Sequence, residues 1–215
     1  MTELPDIPLG HTFTSDDLDW HYPYRLAAVR YPDKRPGFAV VVGMARMHED
    51  DGERDIHLLA EAESPDLREL VRQCGVLHHR YQPQRWVGDG KHKAGNRFIR
   101  ELNAERQSSL HVRSTAMLDM ERPYEYLLPS LKALLTEDRR HLFLKDSRIV
   151  EYLSGILPDE IPFLPPGAYP AIEALAFAVI ELQRHVESRT RSKANAEEIK
   201  RLKSMYGFAS SAGLR

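Results

Sequence analysis

The stretch that decides the fold covers residues 85 to 102 and reads Arg85-Trp86-Val87-Gly88-Asp89-Gly90-Lys91-His92-Lys93-Ala94-Gly95-Asn96-Arg97-Phe98-Ile99-Arg100-Glu101-Leu102. Trp86 and Val87 predict a short buried strand that ends at Asp89, and a basic loop then leads into a helix with an apolar face. Open α/β sheets bind ligands at the carboxyl ends of their strands, so Asp89 is the first candidate for chemistry. The alternative is an ordinary turn, because Asp-Gly pairs are common turn formers.

Composition limits the function classes. The chain has 215 residues, of which 42% are hydrophobic and 29% charged, as expected for one large soluble domain with or without extensions. The net charge of -2 gives no overall basic signal for nucleic acid. Any nucleic-acid surface would therefore have to be local.

The single cysteine bears on the cellular compartment. Cys74 excludes an internal disulfide and falls on the apolar face of a predicted helix, which indicates a reduced, cytoplasmic protein. No stretch is apolar over the length needed to cross a bilayer, and the N-terminus does not have the pattern of a signal peptide. We therefore expect no membrane association.

The segments before residue 85 predict an antiparallel meander. Residues 1–23 are expected to form an irregular N-terminal arm, and strands are predicted at 24–30, 38–45 and 55–61. Ser64 and Pro65 predict the start of a helix, with Ser64 as its N-cap. The strand at Trp86 follows this helical crossover and is expected to run parallel to a meander strand.

The segments after residue 102 predict further strands and helices. The sequence favours strands at 110–117 and 141–145, helices at 124–135, 147–157 and 171–182, and an extended loop at 158–170, where five prolines occur. Glu173 lies near the start of the last and most apolar helix. Residues 189–215 form a basic C-terminal extension, which either holds DNA without sequence preference or forms an exposed helix of paired charges.

Two motifs resemble those of a known family. One is Val87-Gly88-Asp89-Gly90 with the helix that follows it, and the other is Ala168-Tyr169-Pro170-Ala171-Ile172-Glu173-Ala174-Leu175-Ala176-Phe177-Ala178 at the start of the last helix. From about Tyr24 to Leu182, the chain resembles the nuclease domain of the phage terminase large subunit. This resemblance implies an α/β, RNase H-like mixed sheet flanked by helices over residues 24–188, and an origin in a phage or prophage.

The chain departs from the family pattern at its acidic positions. The first strand of the family carries an Asp, whereas residues 24–30 contain no carboxylate and the nearest acid is Asp33. Tyr169 and Pro170 occupy the positions of the family's paired Asp residues, which leaves Glu173 as the acidic counterpart. No phosphate-binding loop of a P-loop motor occurs in the sequence.

The resemblance implies a metal site with fewer acidic ligands than the family has. Two-metal phosphodiester cleavage needs several carboxylates that hold two ions about 4 Å apart. Asp89 and Glu173 are the candidate catalytic residues, and these two with Asp33 are the candidate ligands for Mg²⁺ or Mn²⁺. Because the set is thin, we expect one weakly held ion or none. Glu173 has a second interpretation as an acid that is favoured by the dipole at a helix N-terminus.

The basic residues beside Asp89 are the candidate nucleic-acid contacts. They are Lys91, His92, Lys93, Arg97 and Arg100. They either bind phosphates next to the acidic strand end or form a solvated loop and helix face.

Three functions remain open on the sequence alone. The leading one is a DNA-associated or packaging and assembly protein with a degenerate nuclease site, whose partners would be DNA, phage packaging proteins or a separate ATPase. The second is an active Mg²⁺- or Mn²⁺-dependent DNA endonuclease in which Asp89 and Glu173 act with Asp33, Glu61 or Glu63. The third is a structural protein with no role in nucleic-acid binding.

Overall fold

The computed structural model describes residues 15–45, 55–88, 94–105, 123–136, 142–144 and 147–184. The chain divides into two compact units, Met1–Leu182 and Gln183–Arg215, and the fold below is that of the first. Its strands are β1 Tyr24–Arg30, β2 Gly37–Met44, β3 Ile56–Ser64, β4 Arg85–Gly88 and β5 Leu142–Phe143. Its helices are α1 Ser15–His21, α2 Leu67–Tyr81, α3 Gly95–Glu105, α4 Pro123–Thr136, α5 Arg148–Ser154, a 3-10 helix Pro158–Phe163 and a last helix, α6, over residues 170–182 of this unit.

The five described strands form one mixed sheet in the order β4-β1-β2-β3-β5. The pairs β1–β2 and β2–β3 are antiparallel, so the predicted meander is confirmed. β4 pairs in parallel with β1, and β5 pairs in parallel with β3. The predicted parallel placement of the Trp86 strand is therefore confirmed as well.

Helices cover both faces of the sheet. All eight residues of β2 are buried, as expected for a strand covered on both sides. Alternate residues of β1, among them Ala27 and Val29, join Leu70 of α2 and Phe98 of α3 in one hydrophobic core. Helix α6 lies on the opposite face, where it contacts Arg30 and Arg85.

Helix α1 and the end of α2 are fastened to β1 by one buried arginine. The side chain of Arg25 is 4% exposed, and its guanidinium donates hydrogen bonds to the carbonyl oxygens of Leu18 and Tyr22 at 3.3 and 2.6 Å. It also donates to the carbonyl of Gln82, which caps the C-terminus of α2, and forms an ion pair with Asp19. A cation stabilises helix C-termini, where carbonyl groups lack partners within the helix.

Several predictions need correction. Residues 15–21 of the predicted irregular arm form α1, because Leu18 supplies an apolar contact to the core. The N-cap of α2 is Asp66 rather than Ser64, since the carboxylate of Asp66 accepts from the amide of Glu69. Helix α5 is shorter than predicted and ends at Ser154.

The loop predicted at 158–170 is also partly wrong. Residues 158–163 form a 3-10 helix, because the fixed φ of proline suits such a helix and Pro158 stands at its start. The strand predicted at 110–117 lies outside the described residues. None of the described helices is long and apolar enough to cross a membrane.

His57 of β3 is half-buried beside aromatic rings. Its Nδ1 lies 3.1 Å from the hydroxyl of Tyr22, and its ring lies 4.7 Å from that of Phe143. Burial lowers the pKa of His57 from its ordinary value, and the nearby charge of Asp55 opposes this only in part. The folded protein therefore favours neutral His57.

This burial predicts a loss of stability in mild acid. Below the ordinary pKa of about 6.5, the unfolded chain binds a proton at His57 that the folded protein does not, so the free energy of unfolding falls as pH decreases towards the lowered pKa. His57→Gln should flatten this slope in urea unfolding measured between pH 7.5 and 5, with His79→Gln at the exposed end of α2 as the matched control. Equal slopes for His57→Gln and the wild type would contradict the assignment.

Candidate functional site

The candidate site is the end of the sheet where the parallel strands β1 and β4 finish. We call it the β1–β4 end and define it by Val29, Arg30 and Gly88. Val29 pairs with Gly88, and Arg30 is the last residue of β1. A Cβ on Gly88 would lie 2.9 Å from the carbonyl oxygen of Val29 and 3.0 Å from the hydroxyl of Tyr31, so the close approach of the two strands requires glycine here.

Glu173 of α6 reaches this end of the sheet. It is 4% exposed, and its Oε2 lies 2.6 Å from Nε of Arg30, whose side chain is 13% exposed. Its Oε1 accepts a hydrogen bond from the amide of Gly167 in the turn before α6. Gly167 has φ +78°, a conformation that favours glycine, and a Cβ there would lie 3.4 Å from Nη2 of Arg30. Arg30, Gly167 and Glu173 thus form one compact cluster.

A second ion pair fixes the other end of α6. Nη1 of Arg85 in β4 lies 2.6 Å from Oε1 of Glu181, and Arg85 is level with Leu26 of β1. Residues 173 and 181 are separated by about 12 Å along a helix, and residues 26 and 30 by about 13 Å along a strand. Because these lengths match, both ion pairs form at once with α6 antiparallel to β1.

Of the other predicted acids, Asp33 is described and Asp89 is not. Asp89 follows Gly88 but lies outside the described residues. Asp33 is exposed in the turn between β1 and β2, where its amide donates to the carbonyl of Arg35 at 3.1 Å.

Glu61 and Glu63 hold α5 against β3. Glu61 accepts from the hydroxyl of Ser147 at 2.6 Å and from the amide of Arg148 at 3.0 Å, and Glu63 accepts from the guanidinium of Arg148 at 2.9 Å. The hydroxyl of Tyr152 also donates to Glu63. These contacts anchor the N-terminus of a helix on β3, which is separated from β1 by β2.

The basic candidates are divided by the limits of the described chain. Lys91, His92 and Lys93 lie outside it, whereas Arg97 and Arg100 lie on α3, which follows the β1–β4 end in the chain. Arg97 forms an ion pair with Glu101 at 2.6 Å, and this bond raises the pKa of Arg97. Arg100 is exposed.

With this geometry established, known structures offer a comparison. One matching structure is the nuclease domain of the g2p large terminase of bacteriophage SPP1 with bound Mn. The two chains share 16% sequence identity with a TM-score of 0.53, over 81% of this chain and 94% of that domain. No protein-family model matches the chain, and no curated protein sequence matches it significantly. The likeness confirms the predicted RNase H-like α/β fold.

The described residues alone do not form the metal centre that the resemblance implies. Within the described ranges, no three His, Cys, Asp or Glu side chains are grouped so that they could hold a metal ion. At the β1–β4 end, the described residues supply one carboxylate, and both of its oxygens already accept hydrogen bonds. The cation beside this carboxylate is the guanidinium of Arg30.

Sequence reasoning identified Glu173 but missed its partner. One signal was available: a glutamate inside a helix with apolar residues on every side needs a buried cation or several donors. Arg30, in the strand where the resembling family carries an Asp, was available as that cation. The turn glycine at position 167 carried no comparable signal.

The Arg30–Glu173 pair should contribute strongly to stability. Arg30→Ala leaves the carboxylate of Glu173 buried without the guanidinium, and removal of one partner of a buried pair costs about 3–5 kcal/mol. Arg85→Ala in β4 is the matched control, because Arg85 pairs with Glu181 of the same helix. It should cost about 1 kcal/mol, because the side chain of Arg85 is 40% exposed and water screens the pair. Chemical unfolding measures both values, and equal losses would contradict the assigned difference in burial.

Proposed function

We propose that this protein is a terminase-nuclease-like module of phage or prophage origin with a degenerate metal site, which acts in DNA association or in the assembly of a packaging complex rather than in cleavage. The likeness to the SPP1 nuclease domain supports the fold behind this proposal. The proposed loss of cleavage is inferred from the residues at the β1–β4 end.

The observation that carries the proposal is the buried ion pair between Arg30 and Glu173. Mg²⁺ and Mn²⁺ prefer oxygen ligands and repel other cations at short range. Here the acid of α6 faces a guanidinium at 2.6 Å, and its other oxygen accepts from Gly167. The pair is mostly inaccessible to water, so the attraction between its two charges is strong and an external ion would have to break it.

The basic residues near the strand end support a DNA-associated role. Arg97 and Arg100 lie on α3, and Lys91 and Lys93 lie in the sequence between β4 and this helix. DNA backbones are bound largely by such cations, without sequence preference. Because Arg97 already pairs with Glu101, Arg100 is the described side chain on α3 that would contribute most to phosphate binding.

The partner classes follow from the same proposal. The sequence contains no phosphate-binding loop of a P-loop motor. We propose DNA, other packaging proteins and a separate ATPase as partners. Mn²⁺ is the appropriate ion for a test, since the SPP1 domain contains it.

We expect the purified protein to leave plasmid DNA uncut in both Mn²⁺ and Mg²⁺. The assay should include Asp89→Asn and Glu173→Gln, so that any cleavage can be assigned. Cleavage by the wild type that Asp89→Asn abolishes would overturn the proposal and favour an active endonuclease with a nonstandard carboxylate set. Cleavage that survives both substitutions would indicate a contaminating nuclease.

DNA binding should depend strongly on salt through the basic residues. If Arg100 contacts one phosphate, Arg100→Ala should reduce the slope of log affinity against log salt by about 0.9. Arg148→Ala is the matched control, because this arginine is bound to Glu63 on β3, away from β4 in the sheet order. Fluorescence anisotropy with duplex DNA measures both slopes, and a protein that shows no salt-sensitive binding would favour a purely structural role.

A further inference from the structure

We propose that the guanidinium of Arg30 is a permanent internal cation that takes the structural place of a divalent metal ion at the β1–β4 end. Arg30 thereby makes the docking of α6 on the sheet independent of metal. This inference rests on the part of the proposed function that treats this end as a metal site that has lost its ligands. It does not depend on any role in DNA binding.

The charge balance supports this substitution. An acid at the end of β1 together with Glu173 would place two negative charges in a buried region, and a divalent ion would be needed to neutralise them. Arg30 and Glu173, which are 13% and 4% exposed, reach the same neutrality without an ion. The cation is covalently part of β1, so it is present whenever the chain folds.

The hydrogen bonds support the same conclusion. Nε of Arg30 and the amide of Gly167 donate to different oxygens of Glu173. The carboxylate of Glu173 therefore connects the first part of α6 to the end of β1 through Arg30 and to the turn at Gly167. Arg30 supplies the positive charge that a metal ion would otherwise bring to this carboxylate. An ion entering the wild-type cluster would have to displace these donors and overcome the repulsion of the guanidinium.

The test replaces Arg30 by two residues of equal size that differ in charge. Arg30→Asp places a carboxylate opposite Glu173, whereas Arg30→Asn places a neutral amide there. Thermal unfolding is recorded without DNA, first in EDTA and then in Mn²⁺. In EDTA, we expect a lower Tm for Arg30→Asp than for Arg30→Asn, because two buried carboxylates repel each other.

The change in Tm on addition of Mn²⁺ tests whether an ion takes the place of the guanidinium. An ion at ten times its Kd should raise the Tm of Arg30→Asp by roughly 3–6 °C, with no such rise for the wild type or Arg30→Asn. The double variant Arg30→Asp/Glu173→Gln should lose this response, which assigns the ion to Glu173. Equal responses of Arg30→Asp and Arg30→Asn would overturn the proposal, as would a response that persists in the double variant.

Variants of Arg30 that do not fold in EDTA are tested for recovery of folding by Mn²⁺. Should Arg30→Asp be unfolded in EDTA, recovery of its circular dichroism spectrum in Mn²⁺ supports the proposal, and failure to recover while Arg30→Asn folds overturns it. Should both variants be unfolded, the folding of Arg30→Lys and its response to Mn²⁺ test the proposal instead. A folded lysine variant that ignores Mn²⁺ shows that the cation suffices, and an unfolded one overturns the proposal. None of these measurements uses DNA, so their failure leaves the cleavage and binding assays to judge the proposed function separately.

Discussion

The structure depends on the neutralisation of two carboxylates inside a buried helix. Residues 171–182 of α6 are buried on all sides, and Glu173 and Glu181 lie among them. An unpaired charge at such a position is costly, because a buried carboxylate without a partner loses its hydration and gains no compensating charge. Arg30 and Arg85 neutralise these carboxylates from adjacent strands. Both ion pairs form on one helix because the distance between residues 173 and 181 along α6 matches the distance between residues 26 and 30 along β1. The parallel pairing of β4 with β1 is thus part of the same constraint.

This constraint changes what the β1–β4 end can do. In a hydrolytic site, carboxylates have to keep oxygens available to ions and substrate. Here the carboxylate of Glu173 binds Arg30 and so joins α6 to β1, and Glu61 and Glu63 join α5 to β3 in the same way. The acids of this domain that sequence reasoning offered as ligands are therefore mostly parts of its framework. On α3, Arg97 is paired with Glu101, and Arg100 is exposed.

The sequence predicted the architecture better than the site, and the reasons are physical. The uninterrupted apolar run of β2 has few alternatives to a strand covered on both faces, and the predicted bounds were correct within about one residue. The cap of α2 was wrong because Ser64 and Asp66 both suit helix starts, and the choice depends on backbone geometry. The Arg30–Glu173 contact joins residues far apart in sequence, so local pattern carried little information on it. Asp89, Lys91 and Lys93 remain predictions.

The bonds of Arg25 bear on where the folding unit begins. A natural reading of the sequence starts the domain at Tyr24, after the proline-containing N-terminal segment. Two of the carbonyl groups that bind the guanidinium of Arg25, those of Leu18 and Tyr22, precede that residue, as does its ion-pair partner Asp19. A chain shortened to Tyr24 would retain the cation and lose these acceptors. We therefore expect the cooperative unit to extend at least to Leu18, so that α1 folds together with the sheet.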